Sequence, residues 1–205
     1  MKKQLITTLI ASTFSLAAHA ENINFDGAAN IDGCVLTQNG TSTSLTITNT
    51  YTCNVSGGTG SFANLDTDNI YIASGIAVSA NDTSAGTGAG TLKAATAILG
   101  AGGELIGNLD STSTVALGAN AEIYGTVTAA TTVALGADAK VVGNVTATTT
   151  IAIGADAKVK GNVNAASTVA LGANGEVDGN VIAGTTVALG ADSSVTGKVT
   201  AGTTV

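Results

Sequence analysis

The stretch Thr132-Val133-Ala134-Leu135-Gly136-Ala137-Asp138-Ala139-Lys140-Val141-Val142-Gly143-Asn144-Val145-Thr146-Ala147-Thr148-Thr149 is one copy of an 18-residue phrase. Stacked at that period, residues 97–205 align column by column. One glycine column reads Gly100, Gly118, Gly136, Gly154, Gly172, Gly190, and a second reads Gly107, Gly125, Gly143, Gly161, Gly179, Gly197. Between them run apolar columns, such as Leu105, Ile123, Val141, Val159, Val177, Val195 and Leu109, Val127, Val145, Val163, Val181, Val199. A short fixed period of this kind marks a solenoid, in which each copy is one supersecondary unit stacked on the next.

Within a copy, Thr132-Val133-Ala134-Leu135 alternates apolar with small or polar residues, the period of a half-buried strand. Two fixed glycines per copy break the phrase too often for a useful α-helix. The sequence therefore predicts an all-β chain. Its array is a single-stack β-solenoid of 18-residue coils, about three short strands each, spaced by roughly 4.8 Å. The glycines are expected where the chain needs φ > 0 or close backbone approach. The alanine column Ala101, Ala119, Ala137, Ala155, Ala173, Ala191 is expected in a narrow place beside a corner.

Outward from the array, four regions follow. Residues 1–20 read as a secretory signal, with Lys2 and Lys3, an apolar middle, and Ala18-His19-Ala20 as a small-x-small cleavage site. The apolar run is shorter than the ~20 residues a membrane span needs. Export is expected, to the periplasm, the cell surface or the extracellular space. Residues 21–60 read as a small N-terminal β head, with strand patterns at Ile23-Asn24-Phe25 and Ser44-Leu45-Thr46-Ile47-Thr48 and a turn signal at Asn39-Gly40. Residues 61–96 read as degenerate coils in which Ser79 to Thr91 forms a surface loop. Residues 97–205 are the six-coil solenoid.

Composition narrows the function. The chain has 205 residues and a formal net charge of −7; loss of residues 1–20 removes two of seven lysines and the single histidine, leaving −9. There is no arginine, and an acidic surface argues against nucleic acid and against anionic lipid. Cys34 and Cys53 flank the Asn39-Gly40 turn, and in an exported protein they most simply form one disulfide. A reactive thiol pair and a metal site are the competing readings, but a metal needs more ligands than two thiols. No cofactor is expected.

The phrases Val141-Val142-Gly143-Asn144-Val145-Thr146-Ala147 and Thr132-Val133-Ala134-Leu135-Gly136-Ala137-Asp138-Ala139 resemble the repeats of bactofilins, polymer-forming bacterial proteins, over roughly the last half of the chain. The resemblance implies a right-handed β-helix that assembles end to end into nucleotide-free filaments. The same phrases are similar to part of the β-helix of secreted microbial ice-binding proteins and to trimeric adhesin heads, which use a shorter repeat. Leu135, Val141, Ala147 and Ile153 stand six apart, which also fits the hexapeptide rule of left-handed helices. The acyltransferases of that group resemble His-based general-base catalysts, and the chain after residue 20 has no histidine.

The polar columns carry the remaining candidates. Asn120, Asp138, Asp156, Asn174 and Asp192 read as corner residues tolerating the left-handed region, with a calcium ladder as the competing reading. Asn108, Asn144, Asn162 and Asn180 are expected to hydrogen-bond along the stack. Thr114, Thr132, Thr150, Thr168, Thr186 and Thr204, with Ala116, Ala134, Ala152, Ala170 and Ala188 two along, make a flat Thr-x-Ala strip. It reads either as a solvated strand face or as a binding face for ice or another extracellular surface. Glu176 and Asp178, preceded by Lys158 and Lys160, read as a solvated charged face, and no catalytic residue is assigned.

At the C-terminus, Thr203-Thr204-Val205 begins a seventh copy in place of a polar capping repeat. Val199, Thr204 and Val205 are therefore read as a stacking end. An open β edge templates another chain, and head-to-tail contacts that do not close give filaments. The expected function is an exported, non-enzymatic structural protein that associates with itself.

Overall fold

A computed structural model describes residues 22–25, 34–38, 49–55, 69–74, 76–82 and 88–205. The secretory signal read at residues 1–20, the Asn39-Gly40 turn, the strand read at residues 44–48 and residues 83–87 of the loop read at Ser79 to Thr91 lie outside them.

Among the described residues every regular element is a β-strand, and the array winds into coils of three. One full coil contains Glu122–Tyr124, Val127–Ala129 and Thr132–Leu135. Each strand pairs in parallel with the strand 18 residues on, so Thr132 faces Thr150 and Val145 faces Val163. A period of 18 combined with in-register pairing turns every sequence column into a ladder. We name the three faces by their outward residues: the charged face (Glu122–Tyr124), the middle face (Val127–Ala129) and the threonine face (Thr132–Leu135).

The charged face is the 10-stranded sheet. The middle and threonine faces form one 13-stranded sheet, because the long strands Thr91–Leu99 and Asn108–Leu117 run from one onto the other. Where they bend, the register shifts between Ala94 and Thr96. Buried Ser111 sits at the matching bend and donates from Oγ to the carbonyl of Ala95 at 2.7 Å.

Burial follows the alternation. Leu105, Ile123, Val141, Val159 and Val177 are fully enclosed, as are Val127, Val145, Val163 and Val181. Each deposits a branched side chain on the like residue of the coil below, the packing that suits β-branched residues to sheets. One column departs from expectation: Ala101, Ala119, Ala137, Ala155, Ala173 and Ala191 are exposed, not enclosed beside a corner. The enclosed corner alanines are Ala121, Ala139 and Ala157, two residues further on. The exposed column contributes through its backbone, since the carbonyls of Ala137, Ala155 and Ala173 accept from Asn120, Asp138 and Asp156 at 2.9 Å.

The same corner separates two roles that the sequence left joined. Positive φ falls on Asn120, Asp138, Asp156, Asn174 and Asp192, at 54 to 58°. Gly102 takes the same corner conformation at 64°, and Gly107 has φ of 145°, whereas the later column glycines serve close approach: a Cβ on Gly161 would lie 2.5 Å from the carbonyl oxygen of Gly143 in the coil below.

At the N-terminal end, Asn22–Phe25 pairs in parallel with Asn69–Ile72, which pairs with Thr91–Leu99. Asn49–Val55 pairs in parallel with Ile76–Asp82, and Cys34–Gln38 pairs antiparallel with Asn49–Val55. Residues 61–96 thus contribute strands to the stack. The stretch Ser79 to Thr91, read from sequence as a surface loop, instead includes the end of Ile76–Asp82 and the strand Gly88–Ala89. Register against Asn49–Val55 holds Ser79 to Asp82 extended, and Gly88–Ala89 pairs antiparallel with Asn81 and Asp82, where propensity alone favours neither.

Candidate functional site

The surface carries three kinds of ladder, and each follows from a column of the sequence. On the threonine face, Thr114, Thr132, Thr150, Thr168 and Thr186 are half-buried and pair in unbroken register, with Thr204 bridged to Thr186 at the last coil. Ala116, Ala134, Ala152 and Ala170 stand beside them on the same outward side. The strip is as regular as its sequence implies, with one hydroxyl and one methyl per rung.

A second hydroxyl column, one residue earlier, went unread in the sequence. Thr131 Oγ1 donates to the carbonyl of Ser113 at 2.9 Å, Thr149 to Thr131 at 2.7 Å, Thr185 to Ser167 at 2.9 Å and Thr203 to Thr185 at 2.8 Å. These hydroxyls occupy corner carbonyls of the preceding coil, so their role is to clamp one coil to the next. The signal was present: Ser113, Thr131, Thr149, Ser167, Thr185 and Thr203 are an unbroken Ser/Thr column.

The asparagine column does the corresponding work for amides. Asn144 Oδ1 accepts from the backbone N–H of Asn162, Asn162 Oδ1 from Asn180, and Asn180 Oδ1 from Lys198, each at 2.8 Å. The acceptor lies in one coil and the donor in the next, as expected of a stacked ladder. Among the described residues no buried side-chain polar atom lacks a partner.

The charged face has two outward columns. The first is Glu104, Glu122, Lys140, Lys158, Glu176 and Ser194; the second is Ile106, Tyr124, Val142, Lys160, Asp178 and Thr196. Lys140 Nζ lies 3.4 Å from Glu122 Oε2 and 5.2 Å from the ring centre of Tyr124. Lys158 Nζ lies 2.7 Å from Glu176 Oε2. The hydrogen bond from Lys158 holds the Glu176 carboxyl below its usual range and, from the other side, raises Lys158. Burial first, and the like charge of Glu122 second, push Glu104 up. Ile106, Tyr124 and Val142 are exposed apolar neighbours on successive coils.

A shallow groove of about 520 Å³ runs along the middle face, lined by residues such as Thr128, Thr146, Thr148 and Asn164. Its one carboxylate, Asp110, faces Lys93 at 3.9 Å. The groove contains no second acid and no nucleophile–base pair, the arrangements that acid–base or covalent chemistry requires. Among the described residues no group of three or more His, Cys, Asp or Glu converges as metal ligands, and no helix is long and apolar enough to cross a membrane.

The remaining sequence-derived candidates lie at the two ends. In backbone register Cys34 stands directly opposite Cys53. At the last coil, Val199 is half-buried, Leu189 and Thr204 are exposed, and Val205 is 69% exposed. Their counterparts one coil down, Val181 and Leu171, are enclosed.

Comparison with known proteins agrees with this surface of ladders. No curated protein and no solved structure gave a match. The sequence matches the family model described as "Bactofilin: Polymer-forming cytoskeletal" over residues 84–170 and again over residues 131–205, segments that together span more than half of the chain. That description names a structural, self-associating role. A parallel, in-register β-solenoid built from these repeats, matched over its whole array, belongs to the bactofilin family.

Proposed function

We propose that this chain is an exported structural protein that associates with itself, head to tail, into a surface or extracellular filament or matrix. The observation that supports this reading best is the stacking rule itself. Each coil offers the next an edge of backbone groups and apolar ladders that fits a translated copy of the same coil. The amides of Val127, Val145, Val163 and Val181 donate to the carbonyls of Asn144, Asn162, Asn180 and Lys198 in the following coil, at 2.8 to 2.9 Å. Val199 is the next residue of that column. We place the stacking end at Val199, Thr204 and Val205, where a second copy would continue the pairing and cover Leu189.

Val199→Pro tests the placement. It removes an N–H that the column pattern directs away from its own coil, and proline disfavours a continuing ladder. Filaments are expected from the unaltered protein and monomers of unchanged melting temperature from the variant. Filaments of undiminished length from Val199→Pro would overturn the proposed end. Export rests on the lead at residues 1–20, whereas the family description speaks of the cytoskeleton; cell fractionation separates the two, with the shortened chain outside the cytoplasm as the expected result.

The unbroken threonine register supports a second reading, a face that binds ice or another regular surface. Thermal hysteresis that disappears in Thr150→Tyr would establish it, and its absence from the unaltered protein would dismiss ice.

A further inference from the structure

The charged face has a pattern that fits its own copy turned end for end. Its first column runs acidic, acidic, basic, basic from Glu104 through Glu122 and Lys140 to Lys158. A two-fold axis across this strip, midway between the coils of Glu122 and Lys140, exchanges the two halves. We propose that the charged face is a lateral docking surface for a second copy of this chain, lying antiparallel, with Glu104 opposite Lys158 of the second copy and Glu122 opposite its Lys140.

The second column agrees. The same axis sets Tyr124 over Val142 of the second copy and brings Ile106 against the aliphatic stem of its Lys160, so the exposed apolar residues meet apolar surface. A parallel, in-register arrangement fails on charge. It crosses the columns and places Lys158 against Lys160 and Glu176 against Asp178. Like charges in direct opposition suppress a partner as effectively as opposite ones select it. Glu104 adds a reason of its own: among the described residues it has no ion pair within its chain, and burial beside Glu122 disfavours its charge. Within its chain the charge of Lys140 acts on it but is outweighed by burial and Glu122, and Lys158 of the second copy supplies a cation directly opposite.

Size sets the context. The strip from Glu104 to Lys158 spans three coil spacings, about 14 Å. The contact covers on the order of 200 Å² per copy, well short of the ~800 Å² per partner of a stable pair. Many such contacts in series along two filaments add by multivalency. The inference therefore rests on the filament reading above, and lateral contacts join filaments that lie antiparallel.

Zero-length carbodiimide cross-linking of the full-length chain at low salt, read by mass spectrometry, tests it. Within one chain Glu104 and Lys158 are about 14 Å apart, beyond what the two side chains span. A Glu104–Lys158 cross-link is expected, and it can arise only between copies. Recovery of only the neighbouring pairs Glu122–Lys140 and Lys158–Glu176 would overturn the proposal. Glu104→Lys gives a second readout that does not endanger the fold, because it removes a like-charge neighbour of Glu122. Paired filaments are expected to become single in E104K and to pair again in E104K/K158E. Unchanged pairing in E104K, or its failure to return in the double variant, would also overturn it. Absence of any filament from the unaltered protein would instead count against the filament reading, and the cross-link at high protein concentration would still decide the lateral one.

Discussion

Lys158 and Glu176 face each other on adjacent coils, with Nζ 2.7 Å from Oε2. The pair is solvent-facing, and the hydrogen bond lowers the Glu176 carboxyl while it raises the Lys158 ammonium. Glu176 therefore stabilises the fold above the ordinary carboxylate range, and that contribution is lost as pH falls through its lowered value. Lys158 contributes below the ordinary lysine range and loses its contribution as pH rises through its raised value. Glu176→Gln should lower the melting temperature slightly at neutral pH, and the difference from the unaltered protein should vanish in strong acid. A difference that persists in acid would show that the effect is not electrostatic.

Glu104 carries the opposite sign. Its carboxyl is raised, so the folded state holds its proton more tightly than the unfolded chain and stability falls as pH rises past the ordinary carboxylate range. Glu104→Gln should raise the melting temperature at pH 7 by about 1–2 °C, within the usual span of surface changes. The gain should disappear below about pH 4, where the native carboxyl is protonated too.

The corner residue Asp138 has φ of 57°, a region that penalises side chains other than Asn, Asp and Gly. Asp138→Ala should cost about 1 kcal/mol, and Asp138→Gly should cost a few tenths at most. Urea unfolding of the two variants checks the difference, and equal losses would contradict the backbone explanation.

Gly161 is constrained by space. Its Cβ would meet the carbonyl oxygen of Gly143 at 2.5 Å, and that oxygen belongs to backbone locked in the stack. Gly161→Ala should destabilise by about 3 kcal/mol, the scale of a forced overpacking. A loss below about 1 kcal/mol would mean that the coils can separate locally to admit a methyl group.

These two residues also show what was legible in the sequence. An exact period fixes a ladder, so the coils, the buried columns and the left-handed corner all followed from alignment at 18. What the period does not report is direction. The column Ala119, Ala137, Ala155 is as invariant as the glycines, but its constancy does not say whether the side chain points in or out, and it points out. The same blindness hid the division of labour between Gly161 and Asp138, since close approach and positive φ both select small or Asx residues. The hydroxyl clamps at Thr131 and Thr149 were masked by the threonines that follow them, Thr132 and Thr150. The lateral pattern at Glu104 and Lys158 lay outside the repeat, because it depends on where the columns differ. Residues 61–96 lost the register in sequence, and only backbone pairing, such as Val78 with Leu105, restores it.

Cys34 and Cys53, opposite each other in backbone register, give a compact prediction about compartment. In protein recovered from outside the cytoplasm, the intact mass should be two hydrogens lighter than that of the reduced chain, and the same two-hydrogen deficit should appear in the single tryptic peptide ending at Lys93 that carries both cysteines. Two free thiols in that material would argue against both the disulfide and an oxidising destination.

Coil-on-coil addition between copies is tested most directly by electron microscopy and diffraction of the concentrated full-length protein. Unbranched filaments are expected, paired side by side with each member one β-coil wide, and with a meridional spacing of about 4.8 Å that continues across subunit boundaries. Particles that remain single at every concentration, or filaments in which that spacing is interrupted at each joint, would contradict it.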